Sequence, residues 1–338
     1  MRVTAILTTA VIAMAAMSVS AAELSVRRLD LAAPGGTLVG SSQGVLVLAA
    51  NGAVFEVTGD GVVSENTGPV KRPETEPLPL ALVKDGRVAT SPDGRIRAWY
   101  NSETESYGHG ALGDPIEALS LVVEENGGTP AVYTVTADEV FEDLEPRIVD
   151  LDREQHGRPE IVAITASSTG GAAIAVFGLG RDSDGNPALL RLANSSRIGS
   201  PYRWLNIAGI ADFDGDGFSE IAYVDRPHIR GELVFLEWRG GRLREQAREG
   251  GYANHHGGST VQDLSEVADV DDDGHPDLIL PVRGYGAIAA ISLTPDGPRR
   301  VAEVEIPSAP QSSIISTSPR SAVYLDRDGA LYEIRWAP

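Results

Sequence analysis

The sequence predicts an all-β chain: four-stranded units repeated along the chain and closed into one ring by strands from its two ends. Three observations lead there. Beyond the first two dozen residues no segment sustains a helical apolar period, and short apolar runs alternate with Gly, Asp, Asn and Pro. An acidic pattern starting at Asp150, Asp212 and Asp269 recurs at intervals of 62 and 57 residues, a period that suits four strands plus loops. The C-terminal region holds three apolar runs, one short of a unit, and residues 25–31 can supply the fourth. Closure of that kind removes exposed sheet edges.

Residues 1–22 are expected to be a signal peptide outside the fold. Arg2 is followed by an apolar run over residues 5–19 and then by Ser20, Ala21 and Ala22, small residues of the kind found at a cleavage site. The apolar run falls short of the ~20 residues a membrane span needs. Residues 23–338 are therefore read as an exported, soluble, monomeric single domain, periplasmic or secreted. The chain has no cysteine, so neither disulfides nor lipid attachment at the new N-terminus is available. Asp and Glu number 48 against 28 Lys and Arg, a net charge of −20. Such a surface excludes nucleic acid and anionic lipid as natural partners.

Taken in order, residues 25–31 read as the first strand. Residues 44–50 and 53–57 flank Asn51-Gly52, a strong hairpin signal. Residues 67–79, rich in Pro, Glu and Thr, read as an exposed connection. Residues 87–91 and 95–100 pair across Pro92-Asp93-Gly94, and residues 119–124 and 131–136 pair across Asn126-Gly127-Gly128. From residue 147 three units follow, over 148–197, 207–250 and 267–307. Within the middle one, strands are expected at 207–212, 220–225, 232–238 and 242–248. Residues 313–316, 322–325 and 331–336 complete the chain.

The recurrent pattern carries the clearest chemistry. Residues 211–220 read ADFDGDGFSE, with acids at Asp212, Asp214, Asp216 and Glu220. Alternate side chains converge on one point, and Gly217 permits the left-handed backbone that turns the chain. With the carbonyl of Phe218 they make an all-oxygen shell suited to Ca²⁺. Residues 269–277, DVDDDGHPD, repeat the spacing with Asp269, Asp271, Asp273, the carbonyl position His275, and Asp277. Residues 150–160, DLDREQHGRPE, offer Asp150, Asp152, Glu154 and Glu160, with two extra residues before the glycine. An EF-hand requires a glutamate at position 12 and flanking helices; position 12 is Tyr223 or Leu280, and the flanks read as strands. The alternative is an acid-rich solvated turn without a cation.

A calcium loop between short strands resembles the FG-GAP or VCBS repeat family, most clearly over residues 147–282. The resemblance implies a β-propeller of about six four-stranded blades, or seven if residues 80–145 divide differently. It also implies structural Ca²⁺ and a binding or interaction module whose ligand is a protein or glycan. The rival expectation is an extracytoplasmic enzyme, for example on carbohydrate, with a site on one face of the ring. That rival needs a pair of carboxylates outside the calcium loops, or a carboxylate with His109, converging in a pocket.

Other residues are candidates for a ligand surface. Tyr107, His109 and Asp114 lie in an irregular stretch that is otherwise a Gly-rich connection. His255 and His256 are adjacent in a loop, where they either seize a transition metal or make ordinary hydrogen bonds. Trp99, Trp204, Trp238 and Trp336 offer a stacking platform for sugars; Trp238 and Trp336 end apolar strands and suit the core, which leaves Trp204 as the candidate contact. Asn194-Ser195-Ser196 matches a glycosylation acceptor. No nucleophile elbow, phosphate-binding glycine loop or His-rich zinc motif is present.

Overall fold

The computed structural model describes residues 22–41, 44–65, 79, 81–151 and 158–338. The expected signal peptide, apart from Ala22, and most of the Pro-rich connection lie outside these residues. So do Asp152 and Glu154. Among the described residues the chain forms 25 strands and no helix. None of it is a helix long and apolar enough to cross a membrane.

The strands follow one another as antiparallel sheets. β1 (Glu23–Leu29) stands apart from its neighbours in sequence. β2 (Gly35–Ser41), β3 (Gly44–Ala49), β4 (Val54–Val57) and β5 (Val63–Glu65) form a sheet in that order. A nine-stranded sheet follows: β6 (Ala89–Thr90), β7 (Ile96–Thr104), β8 (Glu117–Glu125), β9 (Ala131–Thr134), β10 (Glu139–Phe141), β11 (Arg147–Val149), β12 (Glu160–Ser167), β13 (Gly171–Arg181) and β14 (Pro187–Asn194). Two four-stranded sheets come next. One is β15 (Leu205–Ala211), β16 (Glu220–Asp225), β17 (Glu232–Arg239) and β18 (Arg242–Gly250). The other is β19 (Glu266–Ala268), β20 (Asp277–Pro281), β21 (Ala287–Thr294) and β22 (Gly297–Glu305). The last sheet joins β23 (Ile315–Ser318), β24 (Ser321–Leu325) and β25 (Leu331–Ala337) to β1, in the order β1-β25-β24-β23.

The N-terminal strand thus completes the C-terminal sheet as expected: β1 pairs with β25 along its whole length, from Glu23↔Ala337 to Leu29↔Leu331. The strands expected in the middle unit also form, within two residues at each end. Two features differ from the reading. β2, a Gly-rich strand, was not anticipated. And residues 89–194 are not split into separate four-stranded units. β10 pairs with β12 over three residues and touches β8 through Phe141↔Ala118, which joins two units into one sheet.

Successive sheets pack face to face, which explains their apolar patterning. Central strands such as β16 and β20 are buried at every position, because a neighbouring sheet covers each face. The outer strand β18 alternates exposed and half-buried residues. One core cluster joins Val162 and Ile174 to Ile221, Val234 and Trp238. Another joins Ala222 and Phe235 to Leu278 and Ile291. A third joins Ile279 and Ile288 to Tyr324, Ile334 and Trp336. The last sheet packs in turn on the first, through Val323, Leu325 and Leu331 against Val45, Val47 and Phe55.

Candidate cation loops and the opposite face

The loop at 212–219 links β15 to β16, and the loop at 269–276 links β19 to β20. Their internal hydrogen bonds match residue for residue. Gly217 N donates to Asp212 Oδ2 at 3.1 Å, and Gly274 N to Asp269 Oδ2 at 3.1 Å. Phe218 N donates to Asp216 Oδ1 at 2.9 Å, and His275 N to Asp273 Oδ1 at 2.8 Å. Phe213 N donates to Glu220 Oε2, and Val270 N to Asp277 Oδ2, both at 2.8 Å. Gly217 and Gly274 adopt φ of 93° and 89°, the left-handed turn the spacing requires.

Carboxylate oxygens of Asp212, Asp214 and Glu220 lie within 4.8 Å of one another, as do those of Asp269, Asp271 and Asp273. The last acid behaves differently in the two loops. Asp277 gives its second oxygen to the Ser292 hydroxyl, so it is not among the converging oxygens of its loop. Glu220 has no such partner. It is fully buried, and its Oε1 accepts no hydrogen bond; Asp269 Oδ1 is likewise buried without one. Burial, followed by the charges of Asp214, Asp212 and Asp216, pushes the Glu220 carboxyl up to about 8, and burial raises Asp277 to about 6. These oxygens fit a hard cation. Asp212, Asp214, Glu220 and the Phe218 carbonyl would hold it in the first loop, and Asp269, Asp271, Asp273 and the His275 carbonyl in the second; Asp216, expected as a ligand, is outside the first loop's converging oxygens, its Oδ1 accepting from Phe218 N and its Oδ2 lying 3.6 Å from Arg239. The His275 side chain itself packs over Gly215 of the first loop, so close that a Cβ there would meet its Cε1 at 2.0 Å. The two loops are therefore neighbours at one end of adjacent sheets.

The third copy keeps part of this frame. Leu151 N donates to Glu160 Oε2 at 2.9 Å, the counterpart of the Phe213 and Val270 bonds. Leu151, Phe213 and Val270 are all buried at 0–1% exposure. Each loop is thus pinned by an apolar residue in the core and by one backbone bond to its last acid.

Each strand reverses its predecessor, so the turns at 226–231 and 282–286 and the segment 251–265 lie at the opposite end. Histidines collect there. His255 is fully buried; its Nε2 lies 2.9 Å from Ser259 O and its Nδ1 2.8 Å from His228 Nε2. Burial, then His228, lowers the His255 imidazole to about 3. His256 Nε2 lies 2.7 Å from Pro310 O, and its ring stacks on Tyr285 at 4.1 Å. Together with Arg283 these side chains line an open cleft of about 570 Å³. Beside it, His109 Nδ1 is bonded to Glu142 Oε1, and the exposed Tyr202 stacks on Tyr107 at 5.2 Å.

Glu142 is fully buried and its Oε2 has no partner. The Phe141↔Ala118 pair sets Glu142 across the strands from Glu117, itself 4% exposed. Both carboxyls are pushed far up, chiefly by burial; Glu117 is raised further by Glu142, and Glu142 by Asp143. The neighbouring Asp143 is compensated: it accepts from Arg147, from the Tyr100 hydroxyl at 2.8 Å and from Gln262 at 3.0 Å.

No family model and no curated protein matches the sequence. Solved structures similar to this chain include the complex of the fission yeast SREBP–SCAP binding domains, at 11% identity over 90% of this chain and 73% of that one, with a TM-score of 0.42. BamB from Moraxella catarrhalis is similar at 12% identity over 91% and 74%, with a TM-score of 0.38. A protein from Lactobacillus plantarum is similar at 14% identity over 91% and 90%, with a TM-score of 0.42. Likeness at this level leaves function to be argued from the side chains.

Of the residues expected to form a ligand surface, His109, His255 and His256 come to one end of the sheets. Trp204 is only 2% exposed, and its indole N–H donates to Glu142 O at 2.9 Å. It props His255 and His228 and does not meet solvent. All four tryptophans are buried, so they make no sugar platform. Tyr107 is buried, its hydroxyl accepting from Tyr202 N at 3.0 Å. Asp114 is spent on Lys84 at 2.8 Å and on Ile116 N. Of the two readings of His255 and His256, both make hydrogen bonds, and among the described residues only the two acidic loops group three potential metal ligands. Sequence reasoning missed Glu117 at the start of β8, Glu142 just after β10, and His228, Arg283 and Tyr285 in turns; each stands alone in the sequence and they meet only through strand pairing and loop packing.

Proposed function

We propose that the chain is an exported, calcium-stabilised β-propeller of the FG-GAP/VCBS kind, built of six blades. In this reading it serves as a binding module whose ligand face is the end opposite the calcium loops. Sheets β2–β5, β15–β18, β19–β22 and β23–β25 with β1 are four blades, and the nine-stranded sheet supplies two more. The observation that carries the calcium reading is Glu220: it is fully buried, its Oε1 has no hydrogen bond, and one of its carboxylate oxygens lies within 4.8 Å of oxygens of Asp212 and Asp214. Among the described residues nothing compensates it, and a divalent cation would. The test is a thermal melt of the mature protein with calcium, with magnesium and with chelator, alongside elemental analysis. Calcium raises the melting temperature, and magnesium, which prefers a smaller octahedral shell, does so poorly. Coincident melts and no bound calcium would overturn the reading.

A second reading, an enzyme on carbohydrate, is favoured by the pair Glu117 and Glu142 with His109 bonded to the latter. Both carboxyls are buried and raised, which keeps them protonated at neutral pH, the form that a general acid uses. Hydrolysis of chromogenic glycosides that disappears in Glu142→Gln supports it. Absence of any turnover leaves the binding module alone.

A further inference from the structure

We propose that the cleft bounded by His228, His256 and Arg283 binds a saccharide that carries a carboxylate. The inference rests on the reading above, which puts the ligand at this end of the sheets.

The cleft is already built. Its volume of about 570 Å³ falls within the range of small-molecule sites. Three segments from adjacent sheets frame it, and they are tied together. Tyr285 donates its hydroxyl to His255 O at 2.6 Å, Ala253 N donates to Pro281 O at 3.0 Å, and Arg283 N donates to Gly251 O at 2.8 Å.

The hydrogen-bond partners fix what the cleft offers. A carbonyl only accepts, so the His255 nitrogen facing Ser259 O carries a proton. His255 Nδ1 is then an acceptor, and His228 Nε2 must donate to it. His256 Nε2 likewise donates to Pro310 O, which at 2.7 Å is closer than the Gln311 amide nitrogen at 3.0 Å. His228 and His256 therefore both present Nδ1 as a lone pair, and neither Nδ1 has a hydrogen bond among the described residues. The buried, uncharged His255 keeps this relay from reversing.

Arg283 is the one cationic side chain among the described residues lining the cleft. It gives one N–H to Ile229 O at 2.7 Å and has no carboxylate partner among the described residues. Its exposed guanidinium keeps donors free for an anion, in a chain of net charge −20. The stacked rings of His256 and Tyr285 add a flat surface beside it. The matching ligand donates hydroxyls to two imidazole lone pairs, lays a ring face against Tyr285 and gives an anionic group to Arg283. Those demands describe a sugar acid. A neutral sugar leaves Arg283 unanswered. A metal cation would face the Arg283 charge with too few ligands.

The experiment is calorimetric titration of the full mature protein, in calcium, with trigalacturonate, galactotriose and triglutamate. Trigalacturonate is expected to bind, more weakly as salt is raised. Arg283→Ala and His228→Ala are each expected to weaken it about tenfold or more, the loss of one charge-assisted or buried hydrogen bond. Melting curves of both variants check that the fold is kept. Absence of trigalacturonate binding overturns the inference, and so does equal binding of galactotriose or an undiminished Arg283→Ala. Equal binding of triglutamate assigns the cleft to acidic peptides and overturns the saccharide. If calcium still raises the melting temperature while trigalacturonate fails, only this inference falls. If calcium has no effect, the calcium reading falls whatever the cleft binds.

Discussion

Glu220→Gln separates the cation's contribution from that of the folded loop. The amide keeps an oxygen to accept from Phe213 N, the bond that spans the loop at 2.8 Å. Without a cation, burial and the charges of Asp214, Asp212 and Asp216 push the Glu220 carboxyl up to about 8, so folding at neutral pH must protonate it, a cost that the amide does not carry. In chelator the variant is therefore expected to melt no lower than the wild type. In calcium the order reverses. A cation at a hundred times its dissociation constant stabilises the fold by about 2.7 kcal/mol. For a chain of this length that is roughly 5 °C of melting temperature. Replacing one anionic ligand by a neutral one forfeits most of that for this loop and leaves the 269–277 loop untouched. The assay is differential scanning calorimetry of both proteins across a calcium titration. Equal losses with and without calcium would show that Glu220 acts only through packing and its backbone bond, and the cation would drop out of the argument.

Three further outcomes follow from buried groups. Glu117→Gln is expected to stabilise the protein at neutral pH by about 1 kcal/mol or more, because burial raises the Glu117 carboxyl to about 10 and folding at pH 7 must protonate a group that is ionised in the unfolded chain; a destabilised variant in a urea titration would contradict that cost. Asp143→Ala is expected to cost about 3–5 kcal/mol, since it strands the Arg147 guanidinium away from water, and a loss below 1 kcal/mol in the same titration would refute that. His255 is folded in its neutral form with its pKa lowered to about 3. Its contribution is therefore fully present above the ordinary imidazole value near 6.5 and is lost as pH falls toward 3. Melting temperature should drop through that window, and His255→Gln should flatten the drop; an unchanged slope would mean that His228 or carboxylates elsewhere carry it.

How far the sequence reaches can be seen in the two ends of each sheet. The two acidic loops were legible as loops because their residues are contiguous. A spacing of acids with Gly217 or Gly274 fixes the backbone turn, and alternate carboxylates converge through local geometry alone. Strand positions were legible for a similar reason: sheets covered on both faces leave continuous apolar runs, as in β16 and β20, and turn residues punctuate them. The joining of β1 to β25 followed from counting strands. By contrast, the role of Asp277 depended on Ser292 from another strand, and the burial of Trp204 on His255 and Glu142 from two other segments. The merging of residues 89–194 into one sheet turned on β10, whose three residues pair with β12 while Phe141 alone also pairs with β8. Glu117 and Glu142 are 25 positions apart and became a pair only through strand register. His228, His256 and Arg283 come from three different loops. Short-range spacing specifies a loop, whereas a cleft assembled from separate loops exists only once the sheets have packed, because chain entropy lets residues so far apart meet only when the core between them is buried.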